Sequence, residues 1–291
     1  MLRVTIVGAG LMGRRLALVA ARSGAEVSLY DSDEAVLYDA LLGLEREQVD
    51  VRPCAELASA IADADFVTEA IVENLTLKQA LFAAMSEQRA DTILATNTSV
   101  LPITQIAARA RHPERVIGTH WWNPPDLIPV VEVVRGKQTS DEVIERTIAI
   151  LTSFGKLPVR VERDVPGFVG NRLQHALWRE AIAMIEEGIC DAETVDLMAR
   201  NTLGLRLGAM GPIENADYVG LDLTLAIHDA LLPSLNSAPH AAALLKKKVA
   251  AGQLGAKSGA GFLRWPAGAR EQATRRLATH LSEQLANVTK R

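Results

Sequence analysis

The chain opens with Val4-Thr5-Ile6-Val7-Gly8-Ala9-Gly10-Leu11-Met12-Gly13, an apolar run that meets three spaced glycines and passes straight into helical periodicity over 11–23. No other feature constrains the fold as tightly. A strand that must turn at once into a helix needs Gly8 for the turn, Gly10 so that a ligand can reach the backbone, and Gly13 so that helix and strand pack closely. The helix N-terminus then offers unpaired amides to an anion, which suits a pyrophosphate. A second strand over 25–30 ends at Asp31, eighteen positions after Gly13. A carboxylate there accepts both hydroxyls of a ribose and repels a 2′-phosphate, so the pattern predicts NAD rather than NADP. The plain alternative is a glycine-rich turn with no ligand, and the strand, helix and Asp31 around it weigh against that.

Beyond Tyr30 the pattern alternates. Helical spacing covers 33–48, a weak strand lies near 49–51, and a short helix covers 55–62. A strand follows at 65–70, a helix at 75–88, and strands at 92–95 and 115–119. Such alternation predicts an α/β fold, a Rossmann-type doubly wound parallel sheet. Pro124, Pro125 and Pro129 then interrupt any helix, after which 130–134 reads as strand, 141–154 as helix and 157–161 as strand. Past Arg163-Asp164-Val165-Pro166-Gly167 the strand signal fades, and 168–187, 191–201, 222–232, 241–251 and 270–287 carry helical spacing, with fraying expected from Asn287 onward. The expected organisation is a nucleotide-binding domain over 1–163 and an all-helical domain over 164–291.

Charge is mixed rather than blocked, with 31 basic against 35 acidic residues and a net of −4, which predicts a small-molecule substrate and neither nucleic acid nor an anionic membrane as partner. No run approaches the roughly 18 to 20 apolar residues of a bilayer span. Cys54 and Cys190 form neither a CxxC spacing nor a disulfide framework, no metal-ligand spacing stands out, and the first strand begins at Leu2, so a cytoplasmic protein without bound metal is expected.

The chemistry centres on Gly118-Thr119-His120-Trp121-Trp122-Asn123-Pro124-Pro125. His120 falls at the C-terminal end of a strand, the edge where ligands of such sheets collect. A lone histidine there is more often structural than catalytic. Glu132 alters the balance, because the proline-rich segment can return the chain and set Glu132 against the imidazole, fixing its tautomer and leaving the other nitrogen to take a hydroxyl proton. His112, His175, His228, His240 and His280 lack a patterned acidic partner and read as surface or packing residues. Thr96-Asn97-Thr98-Ser99 offers hydroxyl and amide donors, or is simply a turn ahead of Pro102. Asn171 follows Pro166-Gly167 at a helix start, where it can cap the helix. Trp121 and Trp122 point to opposite faces if extended, which puts one of them in the core.

Taken together, the fingerprint, Thr68-Glu69-Ala70-Ile71-Val72-Glu73-Asn74 with Lys78, Asn97-Thr98-Ser99, the His120 segment with Glu132, Asp164-Val165-Pro166-Gly167-Phe168-Val169-Gly170-Asn171-Arg172, Met210-Gly211-Pro212 and Gly255-Ala256-Lys257-Ser258-Gly259-Ala260-Gly261-Phe262 give a chain that resembles the NAD-dependent 3-hydroxyacyl-CoA dehydrogenases nearly end to end. The resemblance implies oxidation of a 3-hydroxyl to a ketone, with His120 as acid/base, Glu132 orienting it, and Ser99 and Asn171 on the substrate's oxygens. It implies that Gly8, Gly10, Leu11, Met12, Gly13, Asp31, Ala70, Ile71, Glu73, Lys78 and Asn97 surround the cofactor, NAD, and that the helical domain forms a homodimer.

Two departures bear on the substrate. The stretch between Asp31 and Glu69 holds one long helix, a weak strand and a short helix, whereas the acyl-CoA enzymes carry an additional helical hairpin there that closes over coenzyme A. Trp121 and Trp122 replace the usual phenylalanines, and Pro125 and Pro129 look more like relatives that act without coenzyme A, including a dehydrogenase of pyridine-ring catabolism. A compact hydroxy acid or aromatic alcohol is therefore an alternative substrate. Relatives of the 3-hydroxyisobutyrate type use a lysine that Gly167-Phe168-Val169-Gly170-Asn171-Arg172 lacks, and a non-enzymatic NAD-binding protein would have no need of His120, Glu132, Ser99 and Asn171 together. Because no arginine follows Asp31 at Ser32 or Asp33, steady-state efficiency should favour NAD over NADP, and Asp31→Ala should narrow the gap; equal efficiency of the wild type with NADP would contradict the assignment.

Overall fold

A computed structural model of the chain describes residues 1–87, 89 and 91–288; Gln88, expected as a helix end, and the last residues of the expected fraying segment lie outside the described residues. The chain divides into two compact units, one of Met1–Arg172 joined by the chain from Leu281 on, the other Leu173–His280.

The first unit is built on eight strands, β1 (Arg3–Val7), β2 (Glu26–Tyr30), β3 (Arg52–Cys54), β4 (Phe66–Glu69), β5 (Ile93–Thr96), β6 (Val116–Trp121), β7 (Val130–Val134) and β8 (Leu157–Val161). They form one sheet in the order β3-β2-β1-β4-β5-β6-β7-β8. Strands β1 to β6 pair in parallel, β7 runs antiparallel to β6, and β8 is parallel to β7. Every residue of β4, β5 and β6 is buried for this reason, because a parallel sheet is covered on both faces. Helices α1 (Leu11–Arg22), α2 (Glu34–Arg46) and α6 (Asp141–Ser153) contribute Leu16, Leu44, Ile144 and Leu151 to one core with Ile6, Leu29 and Phe66. Helices α3 (Leu57–Ile61), α4 (Leu75–Ser86) and α5 (Ile103–Ile106) give Ile61, Phe82, Met85, Ile103 and Ile106 to the other, with Val67 and Leu94. The strand order reverses between β2 and β4 on either side of β1, and the crevice at the carboxyl ends of these strands is where such sheets hold ligands.

Local chemistry explains most boundaries. Asp33 caps α2 by accepting from the amides of Ala35 and Val36 and Asn74 caps α4 through Leu77, each satisfying donors left free at a helix start. The strand expected at 49–51 lies instead at Arg52–Cys54. Val49 closes the end of α2 by donating to Leu44 O, and Pro53 is tolerated because β3 pairs only with β2 at the sheet edge. Strand β6 runs past the expected 119 to Trp121, since β7 continues the ladder as far as Trp121↔Val131. Between β2 and β4 the described chain holds α2, β3 and α3 and no second long helix.

The second unit is helical. Helix α7 (Gly170–Glu186) leads into it, followed by α8 (Ala192–Asn201), α9 (Leu203–Leu207), α10 (Pro212–Val219), α11 (Leu221–Leu231) and α12 (Ala243–Ala250), and the last helix is α13 (Ala269–Val288). The short α9 and α10 escaped the sequence reading because five to eight residues hold too few turns for a periodicity to register. None of α8 to α12 has a buried residue, and Leu205, Ile213, Tyr218, Leu221 and Leu225 are largely exposed. No helix of the described residues is long and apolar enough to cross a membrane.

Candidate active site

The glycine turn has the geometry its sequence requires. Gly8 takes a left-handed backbone (φ 98), and a Cβ on Gly13 would lie 1.7 Å from Gly8 O, so nothing larger fits where α1 meets the turn. At Gly10 a Cβ would meet nothing within 4 Å, which leaves the backbone open to a ligand. Asp31 braces the turn, accepting from Ala9 N (2.7 Å) and Asp33 N (2.9 Å). Of the neighbouring residues, Leu11 is exposed and Met12 packs against the core. The open cradle at a helix N-terminus, with the Asp31 carboxylate beside it, fits NAD.

The loops after β4 and β5 complete this edge. The Ala70–Ile71 peptide packs on Gly8, where a Cβ would come within 2.9 Å of Ala70 C and 3.1 Å of Ile71 N. Glu69 is fully buried and accepts from Lys78 Nζ at 2.7 and 2.8 Å, from the Thr96 hydroxyl, and from Ile71 N at 3.0 Å. Lys78 is buried too, so its ammonium meets Glu69 and, at 3.4 Å, Glu73 rather than solvent. Glu73 in turn accepts from the Thr98 hydroxyl and from the amides of Ser99 (2.9 Å) and Val100 (3.2 Å). Burial alone would raise the Glu73 carboxyl; the Thr98 hydroxyl, the Lys78 charge and the two amides outweigh it and hold the group below its ordinary range. Asn97 accepts from Trp121 N (3.0 Å), which locks the β5 loop to β6.

His120 and Glu132 occupy directly opposed positions of the β6–β7 ladder, so the return of the chain through the prolines sets them face to face. Nδ1 and Glu132 Oε2 lie 2.7 Å apart, with both residues buried. The other carboxylate oxygen, Oε1, accepts from Val169 N (2.9 Å) and Gly170 N (3.1 Å). Burial pushes the Glu132 carboxyl up, but the His120 contact and these amides prevail and keep it below the usual carboxylate range. An ionised carboxylate only accepts, so Nδ1 carries a proton toward it and Nε2 is the ring nitrogen left for another partner. Phe168 makes the amide approach possible by adopting a left-handed backbone (φ 51), a strain costing about 1–3 kcal/mol in a residue other than glycine.

The imidazole lies between two aromatic rings, Trp122 at 5.1 Å and Phe168 at 5.8 Å between centroids. Trp121 is the core member of the tryptophan pair, and Trp122 is the half-buried one. Gly170 is small because a Cβ there would stand 2.2 Å from Trp122 Cζ2. Asn171 donates one amide hydrogen to Ser99 O (2.9 Å), joining the two expected substrate-binding residues; the Ser99 side chain is exposed. Arg15 of α1 pairs with Asp126, and Lys156 Nζ donates to Pro125 O and to Ile128 O (3.2 Å), so the proline loop is anchored from two directions. Of the other histidines, His112 does meet an acidic partner, Glu114, at 3.1 Å, but on an exposed turn.

The sequence offers the Thr96 and Thr98 hydroxyls as donors to a ligand, whereas they donate to Glu69 and Glu73, and it marks Glu69, Phe168, Val169 and Gly170 only as parts of motifs. Glu69 alone had a visible signal, a single charge within the mostly apolar Phe66-Val67-Thr68-Glu69-Ala70-Ile71-Val72. Because Glu132 has a depressed pKa in the folded protein, its contribution to stability is present above the unfolded value of about 4.3 and lost as pH falls through the folded value. Plots of Tm against pH for the wild type and Glu132→Gln should therefore converge on acidification; parallel curves would show that the carboxylate's charge is not stabilised by folding.

Residues 3–165 match the 3-hydroxyacyl-CoA dehydrogenase NAD binding domain, and residues 167–265 match the 3-hydroxyacyl-CoA dehydrogenase C-terminal domain. The chain is 37% identical over 278 residues to a probable 3-hydroxybutyryl-CoA dehydrogenase of Deinococcus radiodurans, covering 89% of this chain and 99% of that one. Among solved structures it is similar to 5-formyl-3-hydroxy-2-methylpyridine 4-carboxylic acid 5-dehydrogenase, an NAD+ dependent dismutase, with a TM-score of 0.91 at 32% identity over 97% of this chain and 96% of that one. It is also similar to (S)-3-hydroxybutyryl-CoA dehydrogenase from Ralstonia eutropha, with a TM-score of 0.72 at 31% identity over 90% and 98%. With both family domains matched in order along one Rossmann-type sheet and a helical unit, the chain belongs to the 3-hydroxyacyl-CoA dehydrogenase family, NAD-dependent oxidoreductases acting on CH–OH groups.

Proposed function

We propose that His120 and Glu132 are the proton-transfer pair of this dehydrogenase and that its substrate is a compact hydroxy acid or aromatic alcohol without coenzyme A. The opposed pair at 2.7 Å carries the first part. Nε2 of His120 takes the hydroxyl proton, and the imidazolium that results is balanced by the ionised Glu132 on the other ring nitrogen. Ser99, through its hydroxyl, and Asn171, through its second amide hydrogen, donate to the oxygen that becomes a carbonyl. NAD, when bound, would supply the hydride acceptor for the carbon bearing that oxygen. Gly8, Gly10, Leu11, Met12 and Gly13 hold its pyrophosphate, Asp31 its ribose, and Ala70, Ile71, Glu73 and Asn97 the nicotinamide side. Lys78, being buried, acts there through Glu73.

The substrate reading rests on the segment between β2 and β4, where α2, β3 and α3 leave no helical hairpin to close over a nucleotide end. Trp122 beside the imidazole offers a flat apolar wall to a ring, and the similarity to a dehydrogenase whose name specifies a pyridine carboxylate supports it. A short acyl-CoA held loosely is the second reading, favoured by the 37% identity to a probable 3-hydroxybutyryl-CoA dehydrogenase. The apolar residues left exposed on α8 to α12 support a homodimer through the helical unit, since helices apolar on several faces need a partner surface. Free cysteines at Cys54 and Cys190 agree with a cytoplasmic location.

Loss of the base should show as a fall in kcat of roughly 10² to 10⁴ for His120→Asn with NAD affinity unchanged, and Glu132→Gln should do less harm. A His120→Asn enzyme with near-normal turnover would move the chemistry elsewhere. For the substrate, kcat/KM with 3-hydroxybutyryl-CoA should lie within about tenfold of that with its N-acetylcysteamine thioester, because remote binding energy that is not captured cannot accelerate the reaction. Strong preference for the full coenzyme A ester would overturn the coenzyme A-free reading.

A further inference from the structure

Glu69 of β4 and Lys78 of α4 form an ion pair whose side chains are 0% and 1% exposed. Two apolar residues of the same size would join a strand to a helix at least as well, because withdrawing both charges from water offsets most of their attraction. The contacts of the pair point to a role beyond packing. Glu69 fixes the Ile71 amide, and so the peptide that lies on the Gly8 turn. The same ammonium that neutralises Glu69 reaches Glu73 Oε2 at 3.4 Å, and Glu73 gathers the Thr98 hydroxyl and the amides of Ser99 and Val100. Ser99 O is held in turn by Asn171. One buried cation is thus shared by a carboxylate that shapes the nucleotide cleft and a carboxylate that shapes the turn presenting Ser99.

We propose that Glu69 and Lys78 are positioning residues that couple the two halves of the site, so that filling the nucleotide cleft stiffens the 97–101 turn before the hydroxyl substrate arrives. The cleft and the turn are separate loops, after β1 and after β5; backbone hydrogen bonds tie each to β4, from Ala70 N to Val7 O (2.8 Å) and from Asn97 N to Glu69 O (2.9 Å), and the side-chain contacts that link them run through Glu69, Lys78 and Glu73. A ligand that orders the 70–73 loop therefore restricts Glu73, and with it the amides that Glu73 holds.

The test uses NADH as the probe, with its Kd from fluorescence titration and hydrogen exchange of the 97–101 amides measured with and without saturating NADH. In the wild type NADH should slow exchange in that segment by about fivefold or more, within the usual range of coupling between sites. Glu69→Gln strands a buried lysine and should raise the Kd while abolishing the NADH-dependent slowing. The informative variant is Glu69→Gln/Lys78→Met, which removes both charges and keeps an apolar filling. It should retain the wild-type Tm, yet exchange at 97–101 should be the same with and without NADH. A purely structural role predicts the opposite, restored Tm together with restored protection, and that result overturns the proposal. Absence of NADH-dependent slowing in the wild type overturns it as well. Should neither variant accumulate as folded protein, Thr96→Val removes the hydroxyl that donates to Glu69 and accepts from Thr98 N, so the NADH-dependent slowing is read at the amides of Ser99, Val100 and Leu101, where it must weaken; unchanged slowing there is the contrary result. None of these measurements involves the hydroxyl substrate, so they stand apart from the reading of the substrate site.

Discussion

The Glu132 carboxylate is the point on which the site is assembled. One oxygen faces His120 Nδ1 and the other gathers the amides of Val169 and Gly170, so a single buried anion joins the β6–β7 hairpin to the first residues of α7. Anions at the start of a helix are stabilised by its unpaired amides, and this one is also opposed by a histidine. Removing it would leave two amides and an imidazole without an acceptor in a dry environment, where unsatisfied donors are costly. The left-handed Phe168 follows from this arrangement, since its backbone turns both amides toward the same oxygen.

Around that anchor the sheet supplies order by topology. Six parallel strands bring their carboxyl ends to one edge, and five of them supply the site: Gly8 after β1, Asp31 after β2, Glu69 to Glu73 at and after the end of β4, Asn97 to Ser99 after β5, and His120 near the end of β6. The two antiparallel strands add what a purely parallel sheet cannot. Because β7 runs back along β6, a residue twelve positions from His120 becomes its direct neighbour, whereas a parallel crossover would have placed it a full helix away. The proline loop between them is anchored by Arg15 from α1 and by Lys156, which immediately precedes β8.

The second unit contrasts with the first. The α/β unit has its apolar residues in two clusters, one on each face of the sheet, while the helices α8 to α12 leave theirs exposed. The helical patterns of α8, α11 and α12 were readable, but a pattern tells which face is apolar and not what covers it.

The sequence by itself determined the parts whose cause is local. The spaced glycines, the strand ahead of them and Asp31 specify a turn that only one backbone geometry satisfies, and the apolar periodicities of period two and period 3.6 locate most strands and helices. The opposition of His120 and Glu132 was also legible, because prolines forbid a helix between them and leave a return of the chain as the simplest path. Tertiary structure decided what depends on residues far apart in the chain. That Lys78 turns inward to Glu69, that Glu73 binds the Ser99 turn, that the Val169 and Gly170 amides close on Glu132, and that Gly170 makes room for Trp122 are all consequences of which loops meet at one sheet edge. No periodicity records such meetings, since the energy of a buried charge or a shared hydrogen bond lies in its partner's position rather than in its own neighbours along the chain.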